Sequence, residues 1–226
     1  MGKMIKDLFL TELFGYDCYT SNKLNLNKIK KTQKPFFLTI KSRNKLNIKI
    51  DKNIRISLMS KQINFKKKVV KTENNLLNCR KANYSDKKNI LKIAQNSPSV
   101  SRFLIDKTIS KKFKKNYKKE WILNYFRRKR GDNLLLAFLN KTIFGFILLI
   151  KKKNEVIIDQ IVVDKKYVKK KVGTSLINYL SKLYFNNGKL TIKAGTSIDN
   201  HVAKKFYLKN GFKKFDTYFI YHLKFV

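Results

Sequence analysis

A chain of 226 residues that is 43% hydrophobic can bury a real core and should be globular, as one medium domain with an appendage or as two small domains. Its 53 Lys and Arg against 14 Asp and Glu leave a net charge of +39, a balance that would ordinarily suggest nucleic acid or an anionic membrane as partner. Only seven of the basic residues are Arg, whose guanidinium fork suits base and phosphate recognition, and the lysines are spread along the chain beside abundant Asn and Ile, so codon bias is preferred over polyanion binding and nucleic acid is not the expected partner.

Residues 1–75 carry short alternating apolar runs at 35–40, 46–50 and 54–58 and predict a small α/β or mostly β N-terminal domain. The polar stretch 71–75 reads as a linker into a second domain, 76–226, which opens with a strand at 76–80. Ser85 and Asp86 then precede a capped helix with Ile90, Leu91, Ile93 and Ala94, and Ser110 opens a second helix carrying Phe113, Tyr117, Trp121 and Phe126. The apolar run 134–150 is interrupted at its centre by Asn140-Lys141-Thr142. A lysine there would cost a membrane span roughly 2.5–3.5 kcal/mol, so two buried strands and a turn are the better reading, with no membrane span. Cys18 and Cys79 fit no metal spacing, and with only His201 and His222 beside them no zinc cluster is expected. Two reduced thiols, and no apolar leader near residue 1, lead to the expectation of a cytoplasmic protein.

The β-branched run 155–163 is a strand, and Asp164 to Lys171 forms a basic loop that leads into a helix over 173–185. Strand, basic loop and helix N-terminus together can hold a pyrophosphate on free backbone N–H groups, with Gly173 expected to let the ligand approach closely. A further strand at 189–193 precedes a helix over 200–210, and two strands are expected between 213 and 225. In the 200–210 helix, Asn200 is a good N-cap and Gly211 suits the left-handed C′ position. On a 3.6-residue period Asn200, Ala203 and Tyr207 share one stripe, read as the polar one, while Val202 and Phe206 share the stripe expected to face the core. Strands and helices in this order fit an α/β or α+β sheet flanked by helices.

The pattern Asn-x-x-Ala-x-x-x-Tyr-x-x-x-Gly-Phe, met by Asn200, Ala203, Tyr207, Gly211 and Phe212, resembles the acetyl-CoA site of the GNAT N-acetyltransferase superfamily. The superfamily's phosphate loop, Gln/Arg-x-x-Gly-x-Gly/Ala, is matched at 168–173 only by its last position, Gly173, with Val168 and Lys171 standing where Gln/Arg and the first Gly belong. The resemblance implies a mixed twisted sheet whose strands at 155–163 and 189–195 splay apart. It implies acetyl-CoA as co-substrate and no metal, with the cofactor held by Ile161, Val162 and Val163 along the strand, by Val168, Lys169, Lys170, Lys171, Val172, Gly173, Thr174 and Ser175 around the loop, and by Asn200. Tyr207 is the implied general acid for the departing thiolate. A narrower set of words, Thr11 to Tyr16, Ser101-Arg102-Phe103 with Asp106 and Trp121-Ile122, Gly195-Thr196, and Tyr221-His222, resembles the nucleotide-sugar N-acetyltransferases of the TDP-fucosamine acetyltransferase type. It implies a nucleotide-linked amino sugar as acceptor and Glu12, Phe14, Arg102, Asp159 and His222 as substrate-side residues, of which Glu12, Asp159 and His222 are candidate bases. A GNAT enzyme for a protein N-terminus, a polyamine or another small amine is the alternative, a basic nucleic-acid module the third, and a homodimer is left open.

Overall fold

The computed structural model describes residues 3–24, 36–47, 54–72, 77–97, 100–187 and 190–225. The expected 46–50 strand and the 71–75 linker fall partly outside these residues. The chain begins β1 (Ile5–Lys6), α1 (Leu8–Phe14), β2 (Cys18–Ser21), β3 (Phe37–Ser42), β4 (Ile54–Lys68) and β5 (Asn78–Lys81). It continues with α2 (Lys87–Asn96), α3 (Arg102–Ile105), α4 (Lys111–Phe126), β6 (Asn133–Leu139), β7 (Thr142–Lys152) and β8 (Glu155–Val163). Last come α5 (Val172–Tyr184), β9 (Thr191–Ser197), α6 (His201–Lys209) and β10 (Lys213–Phe225).

All ten strands pair into one mixed sheet in the order β1-β2-β3-β10-β4-β9-β8-β7-β6-β5. Among the described residues only β2–β3 and β8–β9 are parallel. The boundary expected near residue 75 falls between β4 and β5, but β4 lies inside the sheet between β10 and β9, so strands from both sides of it share one hydrogen-bonded surface. Residues 213–225 form a single strand instead of the expected pair. It can do so because the long strand β4 pairs along its whole length on one edge while β3 pairs with its C-terminal half on the other, and it takes up the mismatch with β4 in two irregularities, at Lys214/Asp216 and Ile220/Tyr221.

The 134–150 run is a hairpin turned at Asn140-Lys141, with Asn140 at φ 51°, a conformation its short polar side chain tolerates. Its near-continuous hydrophobicity follows from burial on both faces. Leu134, Leu136, Phe146 and Leu148 pack against α2 and α4, whereas Leu135, Ala137, Ile147 and Leu149 pack against α5. A third cluster, with Leu10, Phe37, Phe103, Phe113 and Tyr117, joins α1 and β3 to α3 and α4. Among the described residues no helix is long and apolar enough to cross a membrane, and both cysteines are free.

Gly145 of β7 lies where a Cβ would meet the Val162 carbonyl oxygen at 2.6 Å and Val172 Cγ1 at 3.0 Å. That close approach brings β8 and the start of α5 together. Gly145→Ala should therefore cost about 1–3 kcal/mol, because backbone has to move to admit the methyl group. Chemical denaturation of the two proteins measures it.

Candidate active site

Strands β8 and β9 pair from Glu155–Thr191 to Ile158–Ala194 and then part. Beyond that point β8 stays with β7 as far as Val163–Gly145, and β9 stays with β4 as far as Ser197–Gln62. The divergence starts at a bulge, since Leu149 pairs with Ile158 while Leu148 pairs with Gln160, leaving Asp159 as the extra residue. Between the strands opens a cleft of about 320 Å³, walled by residues 159–162 on one side and 195–197 on the other, with Ser60 and Gln62 of β4, Arg102, Tyr117 and Trp121 from α3 and α4, and Asn200 around it. No strand among the described residues pairs with the cleft-facing edge of 159–163, so its amides and carbonyls are available to an extended ligand arm.

The loop below this edge leads to α5 through two left-handed residues, Lys169 at φ 63° and Lys171 at φ 58°. Lys171 occupies the place where a glycine would be easier, and holding an L-residue there costs roughly 1–2 kcal/mol. The first bonds of α5 run from the Ser175 N–H (3.0 Å) and hydroxyl (3.1 Å) to the Lys171 carbonyl, which commits the Ser175 side chain inside the protein. The amides of Val172, Gly173 and Thr174 precede the helical ladder and carry the positive end of the helix dipole. Val168, Lys169, Lys170 and Lys171 are exposed beside them. At Gly173, expected to let a ligand approach closely, a Cβ would meet the Phe206 ring at 2.7 Å, so its smallness also serves the packing of α5 on α6.

Helix α6 is punctuated as its sequence predicts. The Asn200 side chain accepts from the Ala203 N–H at 3.1 Å, Gly211 sits at φ 79°, and the Phe212 N–H returns to the Tyr207 carbonyl at 3.0 Å. Phe206 faces inward as expected, but Val202 and Tyr207 exchange the sides expected of them. Val202 is 81% exposed and Tyr207 only 4%, because Ala203, Phe206, Tyr207 and Asn210 form the stripe that docks on the sheet. The Tyr207 ring lies 5.4 Å from Phe65, 5.4 Å from Phe206 and 5.3 Å from Phe212. Phe65 is the β4 partner of Ala194, the last β9 residue paired with β8, so the phenol packs near the apex of the splay. Burial pushes its pKa up, which keeps it protonated.

The substrate-side residues separate into two groups. Arg102 and His222 meet: Arg102 Nε donates to His222 Nε2 at 3.1 Å, and His222 Nδ1 lies 2.6 Å from Asp106 Oδ2. The Asp159 side chain is 8% exposed, takes the Trp121 indole N–H at 2.7 Å and receives Arg130 on both oxygens at 2.7 and 2.6 Å. With those donors in place Asp159 anchors the bulge and has little capacity left to act as a base. Glu12 and Phe14 lie outside the cleft wall. Glu12 is half exposed and paired with Lys129 at 2.9 Å, and Phe14 stacks on Phe113 at 4.6 Å. Sequence reasoning missed Ser60 and Gln62, whose period-two spacing in a strand was the available signal, and Lys118, whose ammonium bonds the Ser97 carbonyl at the cleft edge. Among the described residues no group of three or more His, Cys, Asp or Glu could hold a metal.

Residues 100–212, which contain the splayed strands, the basic loop and α6, match the model of the acetyltransferase (GNAT) family. The chain belongs to that family: it is an N-acetyltransferase whose acyl donor is acetyl-CoA. It is 29% identical over 143 residues to a spermidine N(1)-acetyltransferase of Thermoplasma acidophilum, covering 61% of this chain and 89% of that one. It is 25% identical over 138 residues to the spore coat polysaccharide biosynthesis protein SpsD of Bacillus subtilis, covering 61% of this chain and 47% of the other, about half its length. The crystal structure of a GCN5-related N-acetyltransferase from Sphaerobacter thermophilus has the same fold, with a TM-score of 0.60 at 10% identity, covering 99% of this chain and 76% of that chain.

Changing Lys170 and Lys171 together to Glu should weaken CoA binding by about tenfold at low salt, with the difference shrinking as salt rises. Calorimetric titration should show a smaller effect for a reversed pair elsewhere, such as Lys87 and Lys88. Equal effects would mean that the attraction is diffuse charge.

Proposed function

We propose that the chain acetylates the amine of a nucleotide-linked amino sugar, with a TDP sugar as the first candidate, by direct attack on acetyl-CoA in the cytoplasm. The observation that carries the reading is the unpaired edge of β8, which offers the pantetheine arm a strand partner and leads it from the α5 N-terminus to the cleft. The sugar is supported by the similarity to SpsD and by the placement of Arg102, Trp121, Gly195 and Thr196, all from the quoted words, around one cavity. Residues 1–75 form the acceptor side in this reading, since β4 supplies Ser60 and Gln62. The similarity to a spermidine N(1)-acetyltransferase favours a second reading, a polyamine acceptor.

In the reaction the neutral amine attacks the thioester carbonyl, the tetrahedral intermediate collapses, and the C–S bond breaks. A backbone N–H of 161–163 polarises the carbonyl. Tyr207 gives a proton or a short hydrogen bond to the leaving sulfur. A phenol raised by burial is a weak acid, but a thiolate formed in the same dry surroundings is raised with it. His222 and Asp159 spend their acceptor atoms on Arg102, Trp121 and Arg130, so the amine's proton leaves through water.

Tyr207→Phe should lower the chemical step by roughly 10²–10⁴-fold and leave the acetyl-CoA dissociation constant nearly unchanged. Single-turnover measurement of thiol release, with TDP-amino sugars and spermidine as acceptors, checks both role and acceptor. A variant within about twofold of the parent would reduce Tyr207 to packing.

A further inference from the structure

The Asp106–His222–Arg102 chain is built with more care than a structural ion pair needs. Asp106 and His222 are each 3% exposed. Asp106 Oδ1 takes both the amide (2.8 Å) and the hydroxyl (2.7 Å) of Thr108, and Oδ2 faces His222 Nδ1. Burial pushes the Asp106 carboxyl up, but these donors outweigh it and bring it down to about 2. The carboxylate therefore requires the proton on His222 Nδ1, which leaves Nε2 as the acceptor for Arg102. Burial lowers the imidazole pKa, with the Arg102 charge adding to it, so the ring stays neutral. Phe37 at 4.7 Å and Phe103 at 5.6 Å clamp the ring, and the guanidinium lies over Phe103 at 4.4 Å.

Only Nε of Arg102 is used in this way. Its two terminal nitrogens have no hydrogen-bond partner among the described residues, and Arg102 lines the cleft. A second cation joins it on the sheet. Lys41 of β3 pairs with Ile220, which pairs with the cleft residue Ser60, and Thr39, two residues earlier, pairs with His222. Residues two apart share a face, so Lys41 stands on the face that carries His222. Lys41 has no ion-pair or hydrogen-bond partner among the described residues, and burial, then the Arg102 charge, pushes its pKa down. Asp7, whose charge acts on both, caps α1 through the Leu10 N–H at 3.0 Å and bridges to neither. The cleft carboxylate, Asp159, already belongs to Arg130. Arg102 reaches the Asp106 carboxylate only through a neutral imidazole and Lys41 reaches none directly, and two partly buried cations so placed are unfavourable unless a further anion joins them.

We infer that Arg102 and Lys41 form a subsite for an acidic group, phosphate or carboxylate, on the acceptor, and that His222 and Asp106 are positioning residues that aim the Arg102 fork. The inference rests on the acetyl-transfer reading for its acceptor, but its first test does not need turnover. Calorimetry with TDP, at saturating CoA so that the cofactor site is filled, should show Arg102→Gln and Lys41→Met each weakening TDP by about 10- to 100-fold, the usual loss for a hydrogen bond to a charged group. His222→Gln, which keeps a donor and an acceptor, should stay within about threefold, while His222→Phe should lose as much as Arg102→Gln. Thiol release is then followed with glucosamine, glucosamine 6-phosphate, an amino sugar bearing a carboxylate, and spermidine. Lower Michaelis constants for the acid-bearing amines, abolished in Arg102→Gln with the constant for acetyl-CoA unchanged, support the subsite, and the better of the two names the acid. Folded Arg102→Gln and Lys41→Met proteins that bind TDP like the parent, or a parent that prefers spermidine or glucosamine, overturn it. If His222→Phe does not fold, Arg102→Gln and Lys41→Met carry the test. Acetylation of no amine at all defeats the acetyl-transfer reading and leaves the TDP result standing.

Discussion

Everything functional in this chain depends on one interruption of hydrogen bonding, the loss of β8–β9 pairing after Ile158 and Ala194. A parallel pair inside a ten-stranded sheet would normally continue, because each buried amide or carbonyl left without a partner costs about 1–3 kcal/mol. Here both strands are held away from each other by other partners, β8 by β7 and β9 by β4. The separation is fixed at its origin by Asp159, the bulge residue, through Arg130 and Trp121. A carboxylate in a cleft invites a catalytic reading. Its neighbours tie it to the bulge from which the two strands diverge.

Local signals were legible in the sequence where their causes are local. The Asn200 cap and the Gly211 turn of α6, the Asn140 turn and the strand–loop–helix order around residue 173 are each decided within a few residues. The sides taken by Val202 and Tyr207 were not, because both suit a core and the choice depends on Phe65, far away in the chain, with Phe212 adding a second ring just beyond the helix. Gly173 was read as a ligand contact, and its packing on Phe206, a neighbour 33 positions along the chain, was not foreseen. The single β10 strand was likewise decided by partners, since β4 pairs along its whole length and β3 along part of it.

The substrate side shows the limit most clearly. Arg102, Asp106 and His222 each stood in words that resemble nucleotide-sugar enzymes, yet nothing in those words joins residues more than a hundred positions apart into one hydrogen-bonded chain. Lys41, in a strand that is otherwise almost wholly buried, gave no signal as a functional residue. Its meaning appears only when β3, β10 and β4 bring it into line with Ser60. The N-terminal strands are thus built into the same surface as the family-matching half, and they bring polar side chains to the cleft.

The interrupted pairing is tested most directly by amide hydrogen exchange of the full chain with and without saturating CoA. The account predicts that slowing of exchange concentrates at 160–163, where the pantetheine arm pairs with β8, and at 171–174, where the pyrophosphate meets the start of α5. Slowing spread evenly over the lysine-rich surface, or absent from 160–163 while CoA is bound, would contradict it.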